Sequence, residues 1–182
     1  MQVENTGFEG LKLITPAVFR DERGFFFESY NTRRFEDAGL HYHWLQDNQS
    51  FSCNGVIRGL HFQKPPHAQA KLVRVLAGRI LDVVVDLRSA EPTFGQHFSV
   101  ELSAENKLQL LIPRGFAHGF SVLSDTAEVF YKCDGLYHKE SELGIIYNDP
   151  VLKIDWQVSE DQAVVSDKDR ILPHFTGLFT GF

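Results

Sequence analysis

"KLVRVLAGRILDVVVDLR", residues 71–88, decides the fold. Two runs rich in β-branched and aliphatic residues are separated by Ala77 and Gly78, which reads as two strands around a turn. In the second run Leu81, Val83, Val85 and Leu87 share one side, and Asp82, Val84 and Asp86 share the other, because side chains alternate along a strand. Working outward, strand signals recur at "QHFSVELS" (96–103), "LQLLIP" (108–113), "GFAHGFSVLS" (115–124) and "AEVFYKCD" (127–134). Upstream, "LKLITPAVFRDERGFFFESY" (11–30) gives short extended runs broken by Pro16 and by a turn from Asp21 to Gly24. One segment departs from this pattern. "NTRRFEDAGL" (31–40) predicts a short helix, with Asn31 able to accept a bond from its first free amides and Gly39 able to close it. The tail after Asp149 is less regular, and "SEDQAVVSDKDR" (159–170) fits a loop or a short helix. Many short strands with turns between them and no alternating helices predict an all-β sandwich or barrel.

At 182 residues the chain has the size of one domain, which buries roughly 70% of the surface its unfolded form exposes. No linker, repeat or low-complexity stretch divides it, so a single domain over 1–182 is expected. With 24 acidic and 18 basic residues the net charge is -6, which lacks the broad positive field that nucleic acid or an anionic membrane requires. No segment approaches the roughly 18 apolar residues of a membrane span, and the first residues do not resemble a signal peptide. Cys53 and Cys133 stand apart without CxxC spacing, so two free thiols in a cytoplasmic protein are expected.

Of the 8 histidines, His61 in "RGLHFQ" (58–63) and His118 in "PRGFAHGF" (113–120) are informative. Together these phrases resemble the two motifs of the cupin superfamily, whose fold is a double-stranded β-helix, a jelly-roll barrel. A metal-binding cupin carries His-x-His and then Glu in its first motif. Here Gln63 follows His61, and Lys71 stands in the segment where Glu is expected. An amide is a poor ligand and an ammonium repels a divalent cation, so no metal is expected. Alone, either histidine would read as a hydrogen-bonded residue of a barrel wall. Two of them with Arg58 and Lys71 favour a site. Gly59 is expected to let the chain turn, so that Arg58 and His61, nominally on opposite faces, serve one pocket.

A longer series of segments is more specific: "RDERGFFFESYN" (20–31), "QDNQS" (46–50), "VIRGLHFQ" (56–63), "AQAKLVRVLAGRILDVVVDLR" (68–88), "PTFG" (92–95), "LSAENK" (102–107), "IPRGFAHGF" (112–120), "YKCD" (131–134), "YNDP" (147–150) and "SDKDR" (166–170). In this order they resemble the dTDP-4-dehydrorhamnose 3,5-epimerase family over nearly the whole chain. The resemblance implies a cupin-like barrel with a few short peripheral helices. It implies a homodimer that acts on dTDP-4-dehydro-6-deoxy-D-glucose with neither metal nor cofactor, in the formation of dTDP-L-rhamnose for polysaccharide.

Inverting a centre beside a ketone needs a base, a donor or cation for the enolate, and an acid on the opposite face. By resemblance His61 is the base, since an imidazole accepts protons near neutrality. Asp169 orients it, the family's Lys-Asp pair falling on Lys168-Asp169 rather than on Asp167. Lys71 meets the enolate oxygen, and Tyr131, a phenol that keeps its proton at neutral pH, is the donor. Arg23, Glu28, Gln46, Asn48, Arg58, His118, Glu142 and Lys168 fall on positions that hold the nucleotide and sugar. Arg23 and Arg58 suit a diphosphate, to which a guanidinium donates in parallel. Asp82 is expected to orient His118. Taken alone, Tyr131 would read as a wall aromatic and Lys71 as a solvated strand end. The chain departs from the family pattern at Gln49, Ala70 and Leu136, the last near the base, where Tyr137 is expected to take part in stacking. Three alternatives remain at this point: an epimerase of C3 only or C5 only, a metal-dependent cupin oxygenase, and a non-catalytic sugar-nucleotide-binding barrel.

Overall fold

The structure is a computed structural model that describes residues 1–175 and 182. Its strands are β1 (Gln2–Asn5), β2 (Lys12–Thr15), β3 (Phe19–Asp21), β4 (Gly24–Phe26), β5 (Gln46–Cys53), β6 (Val56–Gln63), β7 (Lys71–Ala77), β8 (Arg79–Asp86), β9 (His97–Ser103), β10 (Gln109–Ile112), β11 (Phe116–Val122), β12 (Thr126–Cys133), β13 (Glu142–Gly144) and β14 (Val164–Val165). The helices are α1 (Thr32–Asp37) and α2 (Asp167–Arg170), with one 3-10 turn at Lys139–Ser141.

The first sheet runs β1-β2-β10-β7-β12-β5; the second runs β13-β6-β11-β8-β9, with β14 added to β6 in parallel. The sheets do not close on each other through hydrogen bonds, and the arrangement is the cupin-like jelly roll expected from the sequence. The turn at Gly78 passes the chain from the first sheet to the second, so β7 and β8 are consecutive but not paired.

Alternation along β8 works as predicted. Val84 joins Val73, Val75, Leu110, Phe120 and Val129 in the core between the sheets. Leu81, Val83, Val85 and Leu87 face outward, where Ile145, Leu152, Trp156 and Phe175 of the later chain cover them. Both faces of β8 are therefore buried, and burying each large aliphatic contributes about 1.5–3 kcal/mol. A third cluster seats Phe35 of α1 on Ile14, Leu72 and Leu111. Asn31 caps that helix by accepting from the Arg34 N–H at 3.3 Å.

Four strands, β1, β5, β13 and β14, lie outside the sequence expectations. β5 has a polar stripe, Gln46, Asn48, Ser50 and Ser52, and so lacks a strand-like apolar pattern. The tail forms both a two-residue strand and a one-turn helix, the latter capped by Ser166. β3 and β4 form a separate hairpin whose Phe19, Phe25 and Phe26 are all more than half exposed. Among the described residues no helix is long and apolar enough to cross a membrane.

Candidate active site

The site begins with a β-bulge. In the pairing of β6 with β11, His61 stands opposite His118 and Arg58 opposite Phe120, so β6 spends one residue more than its partner. Gly59 makes this possible: its φ is +115°, and its missing side chain leaves room for the backbone of Gly119. The extra residue brings Arg58 and His61 to one cavity of about 520 Å³, which Lys71, His118, Tyr131, Lys168 and Asp169 also line. A second cavity of about 300 Å³ shares His61, Lys71 and Tyr131 and adds Gln46, Asn48, Gln63, Tyr137 and Glu142. The shared residues make the two cavities one cleft.

His61 is held by the tail. Its Nε2 lies 2.8 Å from an Asp169 oxygen, and the other Asp169 oxygen accepts from the Gly59 N–H at 3.2 Å. Ser166 fixes the turn that presents this carboxylate by accepting from the Asp169 N–H at 3.1 Å. Burial would raise the carboxyl pKa of Asp169. The bond and charge of His61, with the Gly59 and Ser166 bonds, outweigh that and hold it below the usual carboxylate range. A buried anion thus stands behind the imidazole.

His118 repeats the arrangement deeper in the wall, with Nε2 at 2.9 and 3.1 Å from the two oxygens of Asp82, which is fully buried. Burial depresses the His118 pKa, and the pull of Asp82 only partly offsets it, so the ring stays neutral and donates from Nε2. On the facing sheet, Lys71 Nζ lies 5.9 Å from the Tyr131 ring centroid. Burial lowers the Lys71 pKa, opposed by Cys133, Asp82 and Glu142. Burial raises that of Tyr131, so the phenol is firmly protonated at neutral pH.

At the mouth, Glu142 accepts from Lys168 Nζ at 2.6 Å and from the Tyr137 hydroxyl at 2.9 Å. Burial pushes the Glu142 pKa up, but these two bonds prevail and lower it. Gln46 Nε2 donates to Asn48 at 3.0 Å, while its own oxygen accepts from the Tyr137 N–H at 2.9 Å. Among the described residues no three His, Cys, Asp or Glu side chains are grouped to hold a metal ion.

The cleft can therefore offer an imidazole backed by a carboxylate, a phenol, an ammonium and a neutral imidazole around one space. It brings together ten of the twelve residues singled out from the sequence. Arg23 and Glu28 are not among them. Arg23 lies on the β3–β4 hairpin, where it pairs with Asp21 at 2.5 Å, and Glu28 pairs with Arg34 at 3.0 Å. Sequence reasoning missed the supports: Ser166 and the Gly59 amide behind Asp169, and the bond between Tyr137 and Glu142. The signal for Ser166 was legible, since Ser-x-x-Asp is a helix-start pattern.

Comparison with known proteins places this geometry. Residues 5–177 match the family description "dTDP-4-dehydrorhamnose 3,5-epimerase". A relative of that name from Pseudomonas aeruginosa is 55% identical over 159 residues, covering 87% of each chain. The crystal structure of the Elizabethkingia anophelis dTDP-4-dehydrorhamnose 3,5-epimerase superposes with a TM-score of 0.93 at 51% identity, covering 100% of this chain and 99% of that one. A Legionella pneumophila dTDP-6-deoxy-D-glucose-3,5-epimerase in complex with dTDP-4-keto-L-rhamnose gives 0.88 at 48% identity, over 96% and 98% of the two chains. A jelly roll whose cleft joins a His–Asp pair to a half-buried lysine and tyrosine, matched along nearly its whole length, thus belongs to the dTDP-4-dehydrorhamnose 3,5-epimerase family, and with it to the isomerases.

Proposed function

We propose that the protein converts dTDP-4-dehydro-6-deoxy-D-glucose to dTDP-4-dehydro-L-rhamnose by inverting C3 and C5, and so supplies dTDP-L-rhamnose synthesis. The observation that carries this reading is His61 on one sheet, paired with Asp169 of α2, and Tyr131 with Lys71 on the other sheet, lining one cleft. Asp169 takes one ring nitrogen of His61 and leaves the other to remove the proton beside the C4 ketone. The Lys71 ammonium stands for the enolate oxygen, where fixed positive charge acts most strongly when water is excluded. Tyr131 returns a proton to the opposite face. No step calls for a metal or cofactor, because the ketone already acidifies both neighbouring carbons.

Arg58 meets the diphosphate, positioned by Ser52, which accepts from its Nε at 3.0 Å. His118, Lys168, Glu142, Gln46 and Asn48 hold the rest of the nucleotide sugar, and Tyr137 stacks on the base. Arg23 and Glu28 line neither cavity in their own chain. We read them as reaching the cleft of a second copy in a homodimer, with the exposed Phe19, Phe25 and Phe26 covered there.

The test is turnover in D2O followed by NMR. Deuterium at both C3 and C5 is expected; label at one carbon makes the protein a single-site epimerase, and label at neither overturns the proposal. His61→Ala should lose exchange at both carbons, while Tyr131→Phe keeps at least the first proton removal. Unchanged exchange in His61→Ala rejects the base.

A further inference from the structure

Gln63 follows His61 by two residues and is buried, at 5% exposure. Its carboxamide makes three bonds. Nε2 donates to the carbonyls of His67 at 2.7 Å and Leu136 at 3.3 Å, and Oε1 accepts from the His138 N–H at 2.6 Å. The Leu136 carbonyl and the His138 N–H belong to the two peptide groups that flank Tyr137. One side chain therefore grips the backbone on both sides of that residue. Gln46 holds the other polar atom of the first of these groups, accepting from the Tyr137 N–H.

The Tyr137 ring itself is 53% exposed and lines the cleft. An exposed aromatic on a fixed backbone is a preorganised face: a flat ligand stacking on it does not have to order a loop first. The 134–138 loop is otherwise joined to the 64–70 loop by four contacts that do not touch the Tyr137 peptides, the first being the Asp134 N–H donating to the Ala70 carbonyl at 3.2 Å. Gln69 Nε2 donates to the Gly135 carbonyl at 2.7 Å, the Ala70 N–H donates to Asp134 at 2.6 Å, and the His67 and His138 rings stack at 3.8 Å. These contacts keep the two loops together when Gln63 is replaced. What Gln63 adds is a hold on both peptide groups of Tyr137 at once, beside the Gln46 bond to its N–H at 2.9 Å and the Glu142 bond to its hydroxyl at 2.9 Å.

We infer that Gln63 is a positioning residue, which fixes Tyr137 as the platform for the planar base of the nucleotide. The inference rests on the reading of the cleft as a dTDP-sugar site. The position where a metal-binding barrel of this type carries a second histidine is here given to shaping the ligand's other end. Gln63 acts on binding and not on proton transfer, so its loss separates affinity from turnover.

The experiment is calorimetric titration of the full-length protein with dTDP. Gln63→Met keeps the side chain's length and removes its bonding; Gln63→Ala serves if the Met variant does not fold. Either should weaken dTDP binding about tenfold, while kcat at saturating substrate stays within about twofold of the parent. Tyr137→Ala should lose a similar amount, and adding the Gln63 change to it should lose nothing more. Unaltered dTDP binding in the Gln63 variants overturns the inference, and so do losses that multiply in the double variant. If the parent itself does not bind dTDP, the nucleotide reading falls too, which separates the two failures.

Discussion

Lys71 concentrates the conflict between folding and chemistry in one side chain. Its half-buried side chain lines the cleft, and desolvation lowers its pKa below the ordinary lysine value. A lysine whose folded-state pKa is depressed binds its proton less tightly in the fold than in the open chain. Its charged form therefore costs stability at every pH below the folded pKa, and that cost fades as pH rises through it towards the unfolded value. Lys71→Met should remove the cost. At neutral pH the melting temperature should rise, by about 2–4 °C for each kcal/mol gained in a chain of this length, while turnover collapses. The rise should shrink in alkaline buffer. A calorimetric scan at two pH values with a parallel rate assay checks it, and a fall in melting temperature at neutral pH would count against a desolvated ammonium. The sequence showed this residue only as the start of a strand. A lysine there looks like a solvated end until the fold sets it in the wall of a cleft, which is why family pattern and not local physics singled it out. Asp169 is the converse case: its Ser-x-x-Asp signal went unread though it was there, and nothing in the local sequence says that the tail returns to β6.

At the level of the element, the bulge in β6 does the positioning. Without it Arg58 and His61, three residues apart, would point to opposite faces. Gly59 was read from the sequence as the place of this turn, and its φ of +115° with Gly119 packed against it gives the reason. A Cβ at 59 would come within 2.6 Å of Gly119 Cα and 2.8 Å of the His118 carbonyl, neither of which can swing aside. Gly59→Ala should cost about 2 kcal/mol or more, seen as a lowered melting temperature, and the surviving fraction should turn over poorly because His61 is displaced. A variant as stable and active as its parent would show that the bulge tolerates a side chain. β7, β8, β10 and β11 were legible as runs of aliphatic and aromatic residues because both of their faces are largely buried. β5 was not, because the face it turns to the cleft is polar, and a strand that serves a ligand loses the pattern that announces strands. β14 escaped notice because two residues are too short for a period.

For the whole molecule the unexplained feature is the hairpin β3–β4, which exposes three phenylalanines and keeps Arg23 out of its own cleft. In the proposed dimer each cleft takes Arg23 from the other copy. Arg23→Ala and His61→Ala chains, each impaired alone, should then regain activity when unfolded and refolded together, because one cleft of the mixed pair has an intact set. The recovered rate should follow the fraction of mixed dimers. Mixtures that stay as inactive as their parts would place Arg23 outside the partner's site. Family resemblance pointed to Arg23 as a nucleotide contact and to a homodimer, but not to a link between the two: local sequence gives a turn at Asp21–Gly24 and no hint of which copy the arginine serves.

The distance along the chain between His61 and Asp169, 108 residues, has a consequence in time. During synthesis His61 and the strands from β5 through β13 emerge well before β14 and α2, which complete the wall of the cleft. The carboxylate that holds His61 thus arrives last, on one serine-capped turn, and whatever undocks that turn from β6 parts the pair without cutting into the strands on either side.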